Sequence, residues 1–79
     1  MSINHAVALR INQLLEEKGI TRYRLAMKSG ILHSTLKNII LETIKDNLIS
    51  TITLIAWGFD MTVSQFFDSP LFSEENLDI

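Results

Sequence analysis

The chain has 79 residues, 47% of them hydrophobic, enough to build the core of one small domain and no second one. It contains no cysteine, which excludes disulfides and thiolate metal sites, and no apolar run approaches the roughly 18 residues of a membrane span. The net charge of -2 argues at first against a polyanionic partner, but its distribution reverses that reading. Residues 1–45 hold seven bases and three acids (+4), whereas residues 46–79 hold six acids and no base (-6). A dipolar chain of this kind can present its basic half to phosphate. The first residues lack a signal-peptide core, so a cytoplasmic location is expected.

After a loose start at residues 1–4, with Ser2 and Asn4 as available caps, a first helix is predicted from His5 to Lys18. Val7, Ile11, Leu14 and Leu15 fall on one stripe at i, i+4, i+7 and i+8, with Asn12, Gln13, Glu16 and Glu17 opposite, and Gly19 ends the helix. Thr21 is a good N-cap for a second helix over residues 22–29, and Gly30 stands where the chain must reverse. Ile31, Leu36, Ile39 and Ile40 then give a third helix, beginning near His33, an inward apolar side. His33, Ser34, Lys37 and Asn38 remain on its outer face. A connection of about ten residues follows, in which Ile44, Leu48 and Ile49 are too apolar for a free loop, so that some of them should fold back. Ser50 or Thr51 is expected to cap a fourth helix with the stripe Ile52, Ile55, Ala56 and Phe59, weakened near its end by Gly58. Asp60 takes the place of the glycine expected after it, at a turn where aspartate tolerates a left-handed backbone. Thr62 or Ser64 caps a short last helix, VSQFF, with Val63 and Phe66 inward. The body is expected to span residues 1–68, and residues 69–79 form an acidic tail that frays at its end, with Leu71 and Phe72 available to tether it.

Ala26 permits close helix crossing, Gly30 makes the turn, and Leu36 with Ile39 seat one helix on the other, which is a helix-turn-helix grammar. Leu25-Ala26, Ser29-Gly30-Ile31, Ser34-Thr35-Leu36 and Asn38-Ile39 give the segment its likeness. It resembles the helix-turn-helix of the Cro and phage-repressor-like DNA-binding family, also called the xenobiotic-response-element family, and the likeness runs from about Val7 to Phe67. The resemblance implies an all-α, compact five-helix lambda-repressor-like domain whose helix-turn-helix is formed by helices 2 and 3. It also implies sequence-specific binding of double-stranded DNA by a homodimeric transcriptional regulator, of repressor type. In that family the third helix enters the major groove, so His33, Ser34, Lys37 and Asn38 are the expected base readers. Arg22 stands where many relatives carry a glutamine that grips phosphate, and Lys45 and Arg10 are expected to clamp the flanking backbone.

The chain also departs from the family pattern. Leu32 stands where many relatives have a serine or threonine cap. Glu42 stands at the usual glycine and Asn47 at the usual proline, so the third helix is expected to run a turn further and the loop to touch DNA less. Leu15 and Ile40 occupy positions where many relatives carry an arginine and a glutamate; a double apolar replacement is tolerated, and the two are expected to touch.

Trp57 cannot share an inward side with Ile55, since helical residues two positions apart point about 200° from one another, and a patch of Trp57, Phe67 and Phe72 is expected to form a two-fold interface. The alternative is that the tail folds over Trp57. No enzyme is expected: His33 and Ser34 are sequence neighbours without a third group to orient them, His5 and His33 lack a metal-ligand spacing, and no glycine-rich phosphate loop is present. No cofactor or small-molecule substrate is implied. The competing class is a protein-interaction module on the same scaffold, antirepressor-like or antitoxin-like, favoured by the net negative charge and the apolar C-terminal third.

Overall fold

Ser2, Thr21 and Thr62 each offer a side-chain oxygen to an otherwise unpaired amide of a first helical turn. In the computed structural model, which describes residues 1–78, these caps begin α1 (Ile3–Lys18), α2 (Arg22–Ser29) and α5 (Val63–Phe67). At Thr62 the Gln65 side chain returns the bond, accepting from the Thr62 amide at 2.9 Å, so the shortest helix has a complete capping box. The two remaining helices, α3 (His33–Ile40) and α4 (Ile49–Gly58), start at Leu32 and Leu48 with no side-chain cap. Neither Ser50 nor Thr51 caps α4; both lie inside its first turn. A cap contributes only about 1 kcal/mol, and burying Ile52, Ile55 and Ala56 outweighs it. No strand occurs among the described residues.

Four helices end in the same way. At Gly19, Gly30, Glu42 and Asp60 the backbone is left-handed, with φ between 59° and 70°. In each case the next amide reaches back over the turn: Ile20 to Leu15, Ile31 to Ala26, Thr43 to Asn38 and Met61 to Ala56. At Glu42 this corrects the expectation that α3 runs on, because glutamate itself takes the left-handed conformation and α3 stops at Ile40. That backbone is costly for a side chain with a Cβ, and a hydrogen bond of 2.8 Å between Glu42 Oε2 and His5 Nδ1 helps to hold it.

The core gathers Val7, Ile11 and Leu14 from α1, Leu25 and Ala26 from α2, Leu36, Ile39 and Ile40 from α3, Ile52, Ile55 and Ala56 from α4, and Phe59 and Phe66. α1 packs on α3, α2 lies against both α3 and α4, and α4 packs on α5. Leu15 packs at the margin of the same core that buries Ile40, so both apolar replacements serve one cluster. Of the loop residues, Ile44 folds back onto this core while Leu48 and Ile49 stay exposed. Val63 is half-buried beside the fully buried Phe66. The tail does not fray within the described residues: Pro70–Phe72 forms a single tight turn against α1, Phe72 meets the Phe67 ring edge-on at 4.8 Å, and the Asp78 amide donates to the Met1 carbonyl at 2.8 Å.

Gly58 does more than weaken the end of α4. It faces Ser29, and a Cβ there would stand 2.1 Å from Ser29 Oγ and 3.0 Å from Leu25 Cδ1. The Ser29 hydroxyl is buried at this crossing of α2 and α4 with no hydrogen-bond partner in the protein. Gly58→Ala should gain about 1 kcal/mol in helix propensity but lose about 1–3 kcal/mol to overpacking, for a net loss of stability. In a Ser29→Ala background the same change should cost less, because the Oγ contact is gone while Leu25 Cδ1 at 3.0 Å and the Cβ at position 29 at 3.2 Å remain. Urea titrations of the four species test this, and equal effects of Gly58→Ala in both backgrounds would contradict the contact.

The Lys28 ammonium, 2.9 Å from Asp60 Oδ2, joins the end of α2 to the turn after α4 and holds the Asp60 carboxyl below its ordinary range, through its hydrogen bond first and its charge second. A carboxylate depressed in the folded state stabilises above its unfolded pKa, and that contribution disappears as pH falls through the folded value. Asp60→Asn, which keeps a residue tolerant of left-handed backbone, should therefore flatten the fall in melting temperature on acidification. An unchanged acid limb of the curve would rule the pair out as a contributor.

Candidate nucleic-acid interface

α3 is eight residues long and strongly two-sided. Leu36, Ile39 and Ile40 are buried, and the intervening His33, Ser34, Lys37 and Asn38 are all exposed, so the four expected base readers share one outward ridge. Thr35 is half-buried at the ridge's side, where an open cleft of about 240 Å³ runs between α3 and the start of α4, past Ile39, Ile44, Asn47 and Thr51. The cleft is largely apolar.

The ridge begins with free backbone amides. Leu32 offers no side-chain oxygen to the first turn of α3, so those donors face solvent or whatever sits before the helix. Arg22 is exposed one residue past the Thr21 cap of α2. Tyr23, which was given no role from the sequence, leans against the ridge: its ring centroid lies 6.2 Å from that of His33 at a tilt of 49°. Residues 18–41 include Lys18, Arg22, Arg24, Lys28 and Lys37 and no acid in a chain that is acidic overall, though Asp46 lines the cleft beside Thr35 and Asp60 pairs with Lys28.

Lys45 is exposed in the loop after α3, and the loop is fastened rather than free. Asn4 Nδ2 donates to the Lys45 carbonyl, Asn47 Nδ2 donates to Asn4 Oδ1 at 2.9 Å, and His5 pairs with Glu42. The first turn of α1 thus clamps both ends of the segment that carries Lys45. From the sequence Asn4 is an available cap and His5 the start of the first helix; the contacts that fasten the loop span about forty residues and leave no local pattern.

Arg10 is placed differently from expectation. Its Nε donates to the Phe66 carbonyl at 2.7 Å and an Nη donates to the Gln65 carbonyl at 3.0 Å, so the guanidinium closes the C-terminal end of α5 instead of clamping a phosphate. The acceptors are main-chain carbonyls some 55 residues away, which no sequence pattern reveals. The aromatic patch also divides. Trp57 is 61% exposed and the tail does not cover it, whereas Phe67 and Phe72 stack on Phe66 and pack against the core of the same chain. Two further exposed apolar residues, Leu48 and Ile49, lie at the opposite end of α4, more than two turns from Trp57.

No family model, curated protein or solved structure matches the chain. Among the described residues, no helix is long and apolar enough to cross a membrane, and no three His, Cys, Asp or Glu side chains converge as metal ligands.

Arg10→Ala should lower stability by about 1–3 kcal/mol, because two charge-assisted bonds to the end of α5 are lost, and Arg10→Lys should recover little since a point charge cannot bridge both carbonyls. Denaturant midpoints check this. A lysine variant as stable as the parent would show that charge alone suffices.

Proposed function

We propose that α2 and α3 act as a helix-turn-helix and that the chain binds double-stranded DNA sequence-specifically, as a dimeric transcriptional regulator of repressor type. The observation that carries this reading is the polar ridge of α3: four hydrogen-bonding side chains at its start and on its outer face, all exposed, set on a buried apolar side within a stretch, residues 18–41, whose charged residues are all basic. A helix of this width fits the major groove of B-form DNA. Within it, Asn38 offers one donor and one acceptor, which suits adenine, and Lys37 donates to the acceptors of guanine or to a phosphate. Arg22, beside the open amides of α2, takes a backbone phosphate, and Lys45 takes a second from the clamped loop.

Two such units on a palindrome bring their third helices about 34 Å apart, into successive major grooves. The exposed apolar residues Leu48, Ile49 and Trp57 supply apolar surface at the two ends of α4 for the pairing, in place of the patch with Phe67 and Phe72. The same surface is what favours the second reading, a protein-interaction module of antirepressor or antitoxin type that keeps the scaffold without reading DNA.

Selection of bound duplexes from a random pool separates the two readings. The regulator reading expects a recovered two-fold sequence, with an affinity that falls by several decades over a few-fold rise in salt if about six to eight phosphates are contacted. Arg22→Ala should then weaken all duplexes alike, whereas Asn38→Ala should relax preference at one base pair per half-site, by about 1–3 kcal/mol of discrimination. Recovery of no preferred sequence, or equal loss from both variants on every duplex, would refute the assignment of α3 as reader.

A further inference from the structure

Large apolar side chains cluster where a polar helix start is ordinary. Leu32 is 72% exposed immediately before α3, Tyr23 is 64% exposed and leans on His33, and Met27, one turn along α2 from Tyr23, is 57% exposed. Single exposed apolar residues are common on any small domain, but a group of them marks a contact surface. The rim of this group is basic: Arg22 and Arg24 stand on either side of Tyr23 along α2, while Lys28 is engaged by Asp60. Such a rim favours a polyanion over an apolar protein face. Duplex DNA has one apolar feature on the floor of its major groove, the 5-methyl group of thymine.

We infer that Leu32 reads a thymine 5-methyl group next to the base pair met by His33. This rests on the DNA-binding reading above, since it places the start of α3 at the base edges. Leu32 stands where a serine or threonine would cap the helix and hold a phosphate; a branched apolar side chain can do neither, but it can desolvate a methyl group. The Tyr23 ring lies beside His33, with centroids 6.2 Å apart. Leu32 thereby becomes a specificity residue alongside the polar ridge.

The test uses the full chain and the duplex recovered by selection, with each thymine replaced in turn by deoxyuridine. That replacement removes only the methyl group and leaves every base hydrogen bond intact. One thymine per half-site, adjacent to the pair protected by His33, should lose about four-fold in affinity as uracil, the factor expected for exposing one buried methyl-sized group. In Leu32→Ala the ratio between the thymine and uracil duplexes should fall toward one, while Lys37→Ala, which lies further along α3, should keep the full ratio despite weaker binding. Leu32 is exposed, so its truncation leaves the fold intact. Equal binding of thymine and uracil duplexes at every position overturns this inference and leaves the DNA-binding reading standing. Failure of the pool to yield any bound sequence overturns both.

Discussion

The burial of Leu36, Ile39 and Ile40 is the constraint from which the rest of the molecule follows. Three apolar side chains on an eight-residue helix are enough to fix its rotation, because turning it by even a quarter would expose two of them and press His33 or Lys37 into the core. Burying each contributes about 1.5–3 kcal/mol, whereas dehydrating an unpaired lysine costs more than that. The rotation in turn decides which four side chains project. The polar ridge is thus a by-product of core packing, and its chemistry is free to vary while the geometry stays set.

The turns hold the ridge in place with equal economy. Four helices close through the same left-handed reversal, two on glycine and two on acidic residues, and the acidic pair are each bonded by a base: Glu42 by His5, Asp60 by Lys28. The charges that look scattered in the sequence therefore include two that tie loops to helices. They also divide the surface. With Lys28 engaged by Asp60 and Arg10 by the end of α5, the exposed bases nearest the ridge are Arg22, Arg24 and Lys37, a short list that makes the electrostatic reading specific.

Much of this was legible in the residues alone. The bounds of α2 and α5, the Thr21 cap, the turn at Gly30 and the inward faces of α1, α3 and α4 all follow from period and cap chemistry, which act over three or four residues. What escaped depends on distant partners. The left-handed Glu42 is supported from α1, the Arg10 guanidinium finds carbonyls at the end of α5, and Gly58 is a crossing point for α2 rather than a weakness of α4. The start of α4 was misplaced for the opposite reason: two good capping residues stood in view, and packing of the helix beyond them made the caps unnecessary. For the candidate site, the ridge was readable, while Tyr23 and the clamp of Asn4 and His5 on the loop appeared only with the coordinates.

The exposed apolar residues at the two ends of α4 and the ridge of α3 are separate surfaces of one small body, and either could meet a partner. Amide chemical-shift mapping of the labelled chain, titrated with the duplex recovered by selection, distinguishes them most directly. The account predicts that the largest shifts fall on residues 32–38 and on Arg22 and Tyr23, with a smaller set on the loop around Lys45. Shifts confined to Ile49 through Trp57, or spread evenly over the surface, would contradict the claim that the ridge fixed by Leu36, Ile39 and Ile40 is the part that meets DNA.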